Sequence, residues 1–210
     1  MQESHKRVQW VYASTTDSEL EERYDQWATE YDADLAKEFI WHSPDSVAGV
    51  FAEYVQRSAR VLDAGAGTGL SGEALAKLGF NNMVAMDLSQ GMLDEAKTKN
   101  VYVGFDQMAL GGPLGYETDS FDGVVLVGVF TLGHAPSSSL DELIRVTKPG
   151  GCIAFSIRVD MTDGGGDFPD KFTSLENSGK WKQLKKTDPY QPLPKGEPEV
   201  FHRVWAFQVA

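Results

Sequence analysis

The stretch Val61-Leu62-Asp63-Ala64-Gly65-Ala66-Gly67-Thr68-Gly69 constrains this chain more than any other part of it. A short apolar run ends in an acid, and three alternate glycines follow. Helix-compatible sequence then runs through Leu75 and stops at Gly79, a natural helix cap. A strand that turns this tightly into a helix belongs to a βα unit, and such units build parallel sheets covered on both faces. The grammar recurs downstream. Met83 to Met86 reads as a strand ending at Asp87, with Ser89 capping the next helix. Val101 to Phe105 reads as a strand ending at Asp106. Gly123 to Gly128 is apolar throughout, too continuous for a strand with one wet face. Ser139 to Val146 reads as a helix, Pro149-Gly150-Gly151 as a turn, and Cys152 to Ile157 as a fifth strand.

Flanking this core, Thr16-x-x-Glu19 is a capping box that opens a helix with Leu20, Tyr24, Trp27 and Tyr31 on one stripe. Ser43-Pro44-Asp45 supplies cap, first position and acidic first turn to another helix, with Val47, Val50, Phe51, Tyr54 and Val55 facing inward. After Gly164-Gly165-Gly166 the pattern changes. A short helix near Phe168 to Leu175 precedes two β-rich runs, Trp181 to Thr187 and Phe201 to Val209, which read as a hairpin closing one sheet edge. With 210 residues and 41% hydrophobic content, one domain accommodates all of this. Its parts are an N-terminal lid region (1–42), a ligand-binding core (43–158) and a substrate-side helix with the terminal hairpin (159–210).

Charge narrows the ligands. The formal net charge is −12, which argues against nucleic acid and toward neutral or cationic small molecules. The last quarter is nearly balanced, and its lysines 180, 182, 185 and 186 read as a solvated strand edge. No apolar run is long enough for a membrane span, and Met1-Gln2-Glu3-Ser4 does not open a signal peptide. The single cysteine, Cys152, excludes a disulfide framework and reads as core. A cytoplasmic monomer is the expectation. The histidines 5, 42, 134 and 202 show no ligand spacing, so no metal is expected.

Two ligand classes compete for the glycine loop. A dinucleotide site wants Gly-x-Gly-x-x-Gly and a pyrophosphate at the helix N-terminus. Here the glycines are 65, 67 and 69, position 70 is Leu, and Asp63 stands two residues before the first glycine. A carboxylate there repels a pyrophosphate and attracts an ammonium or sulfonium. S-adenosylmethionine satisfies each feature. Its ammonium can meet Asp63, directly or through water, and bare glycine backbone can approach its methionine and ribose. Asp87 is spaced to accept from both ribose hydroxyls. Asp106 can accept from the adenine amino group with Gln107 or the Met108 backbone completing the edge, while Leu88 and Met92 sandwich the ring.

VLDAGAGTG, MDLSQGML, DSFDGVVLVGV and RVTKPGG, spanning residues 61–157, together resemble class I S-adenosylmethionine-dependent methyltransferases. YDQWATEYD at 24–32 followed by RVTKPGG is also similar to the narrower methyltransferase-like family of the Williams–Beuren syndrome chromosomal region, for which the motifs imply no substrate. The resemblance implies an α/β, Rossmann-like doubly wound seven-stranded sheet, order 3-2-1-4-5-7-6 with strand 7 antiparallel, carrying N-terminal lid helices. The cofactor-binding set expected is Tyr24, Trp27, Tyr31, Asp63, Gly65, Ala66, Gly67, Gly69, Asp87, Leu88, Met92, Asp106, Gln107 and Gly128, with S-adenosylhomocysteine as product.

Several residues keep two readings. The stripe of Tyr24, Trp27 and Tyr31 is either ordinary core or a lid over the cofactor. His134, in the Thr131-Leu132-Gly133-His134 loop, is either structural or a general base near the methyl group. Methyl transfer is an in-line displacement on an electrophile that the cofactor already activates, so orientation and a dry site can suffice. The function expected is methyl transfer to a small molecule or protein side chain. The alternatives are a protein that holds the cofactor without turnover, and a nicotinamide oxidoreductase, which Asp63 and Leu70 disfavour. Acids 160, 163, 167 and 170 hint at an amine acceptor, or are a solvated loop.

Overall fold

The computed structural model describes residues 3–131, 133–164 and 166–210, with side chains except at 3–5 and 36–38; Met1, Gln2, Leu132 and Gly165 lie outside the described residues. The core strands are β1 (Val61–Ala64), β2 (Met83–Asp87), β3 (Gly104–Gln107), β4 (Phe121–Phe130) and β5 (Thr147–Arg158), followed by β6 (Trp181–Lys186) and β7 (His202–Val209). The helices are α1 (Glu3–Tyr12), α2 (Asp17–Asp32), α3 (Ser43–Phe51), α4 (Leu70–Lys77), α5 (Gln90–Thr98), α6 (Ser139–Val146) and α7 (Asp167–Asn177). A π-helical segment, Ala33–Phe39, continues α2. The strands form one sheet in the order β3-β2-β1-β4-β5-β7-β6. The first five are parallel, and β7 runs antiparallel to both β5 and β6. This is the order and the reversed strand that the resemblance implies.

Alternation along each strand divides the core. Leu62, Val124, Leu126, Ile153, Phe155 and Phe207 face a layer closed by α6 and α7. Val61, Val125, Val127, Cys152, Ala154 and Ala206 face a layer closed by α3 and α4. Strands buried on both faces read as continuous apolar runs, which is why Gly123 to Gly128 carries no polar side chain. A third apolar cluster, of Val8, Val11, Leu20, Trp27, Leu35, Phe39 and Leu193, joins the N-terminal helices to the β6–β7 connection. Thus α2 packs on its own cluster, and does not depend on a ligand for an apolar partner.

Local details depart from the sequence reading for identifiable reasons. Helix α1 has no counterpart in it. Thr16 caps α2 by accepting from the Glu19 N–H at 3.2 Å, but the Glu19 carboxylate turns to Thr15, accepting from its N–H at 2.9 Å and its hydroxyl at 3.0 Å. His42 stands at the N-cap of α3. Ser43 is fully buried and its Oγ accepts from the Tyr190 hydroxyl at 2.9 Å, because the β6–β7 connection covers it. Strand β3 begins at Gly104, since Tyr102 turns away to reach the glycine loop. Helix α7 buries Phe168, Phe172 and Leu175 in the main core.

Candidate active site

The carboxyl ends of β1, β2 and β4 meet at the point where strand order reverses, the place where open α/β sheets bind ligands. The glycine loop after β1 is held by the neighbouring strand: the N–H groups of Gly65 and Ala66 donate to the Met86 carbonyl at 2.7 and 3.0 Å. Gly65 has φ +78, and a Cβ there would lie 2.3 Å from Val129 Cγ2, so no other residue fits. Gly67 has φ +55 and open space where its Cβ would be.

A cavity of about 800 Å³, including its open mouth, lies against this loop. Gly65, Gly67, Asp87, Leu88, Met92 and Gly128 line it from the core, and Tyr24, Tyr31 and His134 line it from above. Eight of these belong to the expected cofactor-binding set, and the ninth, His134, is the candidate general base. Asp87 is the carboxylate at its wall, with Oδ2 accepting from the Gly67 N–H at 2.8 Å and Oδ1 from the Ser89 N–H at 2.9 Å. Burial raises its pKa against those hydrogen bonds, and nearby Asp25 adds to the rise. The Tyr24 hydroxyl lies 2.8 Å from His134 Nε2. Burial holds the Tyr24 phenol well above its ordinary pKa, so it stays protonated.

The other expected residues lie outside this wall. Asp63 is fully buried beneath the loop, where its Oδ2 accepts from Ser71 Oγ at 2.5 Å and Tyr102 Oη at 2.6 Å. Its Oδ1 is buried with no partner, and burial pushes the pKa up to about 6. Gly69 (φ +89) packs against Tyr102 and Ala96 at the start of α4, and Ala66 is buried against Ala85 and Leu93. Asp106 accepts from the Tyr116 hydroxyl at 2.8 Å. Gln107 donates to Glu21 at 2.8 Å and to the Leu88 carbonyl at 3.0 Å, and the Met108 N–H donates to the Asp87 carbonyl at 2.9 Å. Trp27 donates from Nε1 to Asp34 at 2.8 Å and lines a second, smaller cavity. No described residue of 159–175, a segment expected to wall the pocket, lines either cavity, because Phe168, Phe172 and Leu175 are drawn into the core. Asp160 is paired with Arg158 and Asp163 with Arg203.

The N-terminal helix and the 129–136 loop, both expected from the sequence to wall the pocket, do so, the loop through Val129, His134, Ala135 and Pro136. Sequence reasoning missed Ala109 and Leu110, although Leu110-Gly111-Gly112-Pro113 is a loop beyond the carboxyl end of β3, where such sites are built. It also missed the second cavity, whose walls come from segments remote in sequence.

A nucleoside carrying positive charge fits the first cavity. Carboxylates of Asp17 and Asp87 line it, no lysine or arginine does among the described residues, and Leu88, Met92, Met108 and Leu110 offer apolar walls. The unpartnered Oδ1 of Asp63 adds a buried acceptor under the loop.

Residues 62–155 match the family model described as a methyltransferase domain. The chain is 32% identical over 169 residues to human methyltransferase-like protein 27, covering 77% of this chain and 67% of that protein. It is 41% identical over 98 residues to the demethylmenaquinone methyltransferase of Clavibacter sepedonicus, covering 45% of this chain but only 39% of that protein. Among solved structures, the (4+2)-cyclase SpnF superposes with a TM-score of 0.72 at 16% identity, over 92% of this chain and 96% of that one, a likeness of fold alone. The chain belongs to the class I S-adenosylmethionine-dependent methyltransferases.

Proposed function

We propose that the first cavity binds S-adenosylmethionine and that the protein transfers its methyl group to a small molecule or an exposed protein side chain. The observation that carries this reading is the Asp87 carboxylate in the cavity wall, beside the bare backbone of Gly65 and Gly67. Each Asp87 oxygen takes one backbone N–H and keeps a lone pair for a ribose hydroxyl. Leu88 and Met92, with Met108 and Leu110, grip the adenine between apolar faces. The Asp63 carboxylate, buried beneath the loop, contributes negative charge under the end of the cavity that takes the ammonium.

When bound, the cofactor supplies a methyl group already activated on a sulfonium. The chain's own residues orient it and exclude water. The rings of Tyr24 and Tyr31 close the cavity from above and attract positive charge at their faces. Where the acceptor must lose a proton, the Tyr24 oxygen takes it as the phenol proton passes to His134 Nε2. Calorimetric titration with S-adenosylmethionine, S-adenosylhomocysteine and NAD tests the cofactor assignment: the first two bind and NAD does not. A preference for NAD would overturn it. Methyl turnover against a metabolite extract tests whether the bound cofactor reacts, and its absence would leave a binding protein.

A further inference from the structure

The second cavity adjoins the first and shares Tyr24, Tyr31 and Gly128 with it. The rest of its wall comes from distant segments: Tyr12 at the end of α1, Trp27 on α2, Trp41 after the π-helical turn, Leu193 in the β6–β7 connection and His202 at the start of β7. The rings meet edge to face, Trp27 on Tyr31 with centroids 4.8 Å apart and Tyr31 on Trp41 at 6.5 Å. Glycine makes room for this packing, since a Cβ on Gly128 would lie 3.0 Å from the Trp41 ring. Walls built of rings suit a ligand that is itself a flat ring, through edge-to-face and offset contacts.

One polar group in the wall points to the rest of the ligand. The Tyr24 hydroxyl lies 2.8 Å from His134 Nε2, and the Tyr12 hydroxyl is hydrogen-bonded to Thr131. His202 differs. It is 7% exposed, and its Nδ1 is buried without a hydrogen-bond partner. Folded proteins rarely leave such a nitrogen unsatisfied, because its desolvation is not recovered. Burial and the nearby Arg158 hold the His202 pKa down at about 4, so the ring is neutral. The Nδ1 of a neutral imidazole accepts or donates according to its tautomer, and a hydroxyl can answer either.

Charge in the wall is already compensated. Glu197 is engaged within the fold and interacts with Arg158, which also holds Asp160 through two hydrogen bonds of 3.0 and 2.6 Å. No lysine or arginine lines the chamber among the described residues. Burying a cation or an anion here would leave its charge unpaired, whereas an uncharged ligand meets no such penalty.

We propose that this chamber is the acceptor site and that its occupant is an uncharged phenol, its ring among the surrounding tyrosines and tryptophans and its hydroxyl paired with His202 Nδ1. The word acceptor rests on the methyltransferase reading, and the binding does not. An amine acceptor is not favoured, because Asp160 and Asp163, the acids that hint at one in the sequence, are neutralised by Arg158 and Arg203.

Calorimetric titration of the 210-residue protein with 4-ethylphenol tests the assignment. Three matched probes accompany it. 4-Ethylanisole lacks the hydroxyl hydrogen, while tyramine and 4-hydroxyphenylacetate keep the phenol and add a positive or a negative charge. 4-Ethylphenol should bind at least tenfold more tightly than each of the three. His202→Leu should bring 4-ethylphenol down to the affinity of its methyl ether, with S-adenosylhomocysteine bound as in the parent protein. Leu193→Trp, which fills the chamber from the opposite segment, should abolish binding of the phenol. A cooperative thermal transition reports that each variant is folded. No binding of 4-ethylphenol, equal affinity for phenol and ether, or a charged probe that binds as tightly as 4-ethylphenol each overturns the proposal. So does a phenol preference that survives His202→Leu, or phenol binding that survives Leu193→Trp. Failure of S-adenosylhomocysteine to bind the parent protein is a separate result, and it overturns the cofactor assignment instead.

Discussion

Asp63 and Asp87 end adjacent parallel strands and look equivalent in the sequence, yet the fold gives them opposite duties. Asp87 reaches the cavity wall, while Asp63 is sealed beneath the loop. Replacing Asp87 with alanine is expected to weaken cofactor binding by roughly 2–4 kcal/mol, through two charge-assisted hydrogen bonds. From the sequence the fold should not notice. The structure says otherwise, since Gly67 and Ser89 lose their acceptor, and a stability loss of about 1–2 kcal/mol is expected in urea denaturation. Parental cofactor affinity in Asp87→Ala would show that the ribose is held elsewhere. Asp63 makes a different prediction. Its pKa rises from 3.8 to about 6 on folding, so its contribution to stability is fully present below 3.8 and is lost as pH rises through 6. Asp63→Asn should therefore raise the thermal midpoint of the apo protein at pH 8, by up to about 3 kcal/mol of stability, and make little difference at pH 4. The same change should weaken cofactor binding if the ionised oxygen meets the ammonium. A midpoint difference independent of pH would refute the burial argument.

Helix α2 shows how far a periodicity can be read. The stripe of Leu20, Tyr24, Trp27 and Tyr31 exists, but its members divide: Tyr24 and Tyr31 face both cavities, and Trp27 faces the second one only. Charged residues off the stripe carry the docking contacts. Asp25 accepts from Ser89 Oγ at 2.5 Å and from the Gly91 N–H at 2.8 Å, so a residue of α2 helps cap α5. Asp32 accepts from Thr68 Oγ1 and pairs with Lys99. The lid expectation predicts fast amide exchange over 17–32 without cofactor. These contacts lead instead to partial protection in the apo protein, with added protection at Tyr24 and Tyr31 when S-adenosylmethionine binds. Asp25→Ala should speed exchange across α2 and the first turn of α5 by about tenfold, the equivalent of roughly 1.4 kcal/mol. Exchange unchanged in that variant would place the docking energy in the aromatic cluster alone.

For the whole molecule, ligand binding and stability are linked. Cofactor at a hundredfold excess over its dissociation constant should stabilise the fold by about 2.7 kcal/mol, a midpoint rise of roughly 5–10 °C for a chain of this size. Thermal scans with S-adenosylmethionine, its product and NAD read this directly, and NAD should leave the midpoint in place. Among the described residues no lysine or arginine lines either cavity. Added salt should therefore weaken the sulfonium-bearing cofactor more than its product.

What could be read from the chain alone was whatever depends on local order. Strands β1, β2 and β4, the cap at Ser89, the positive-φ glycines and the helix Ser139–Val146 all follow from residue types at short spacing, because turns, caps and alternation are decided within a few residues. The sheet order came with the family resemblance. The fate of individual polar side chains did not. Tyr102 leaves its strand to reach Asp63, Tyr116 takes Asp106 and Glu21 takes Gln107, each contact joining segments that no local pattern links. The second cavity is the extreme case. Tyr12, Trp41, Glu197 and His202 are unremarkable in sequence, and they face one space only because β7 reverses direction and returns its connection to the N-terminal helices. Local chemistry determined the strands and the glycine loop; which side chains surround a ligand was decided by packing between segments the chain holds far apart.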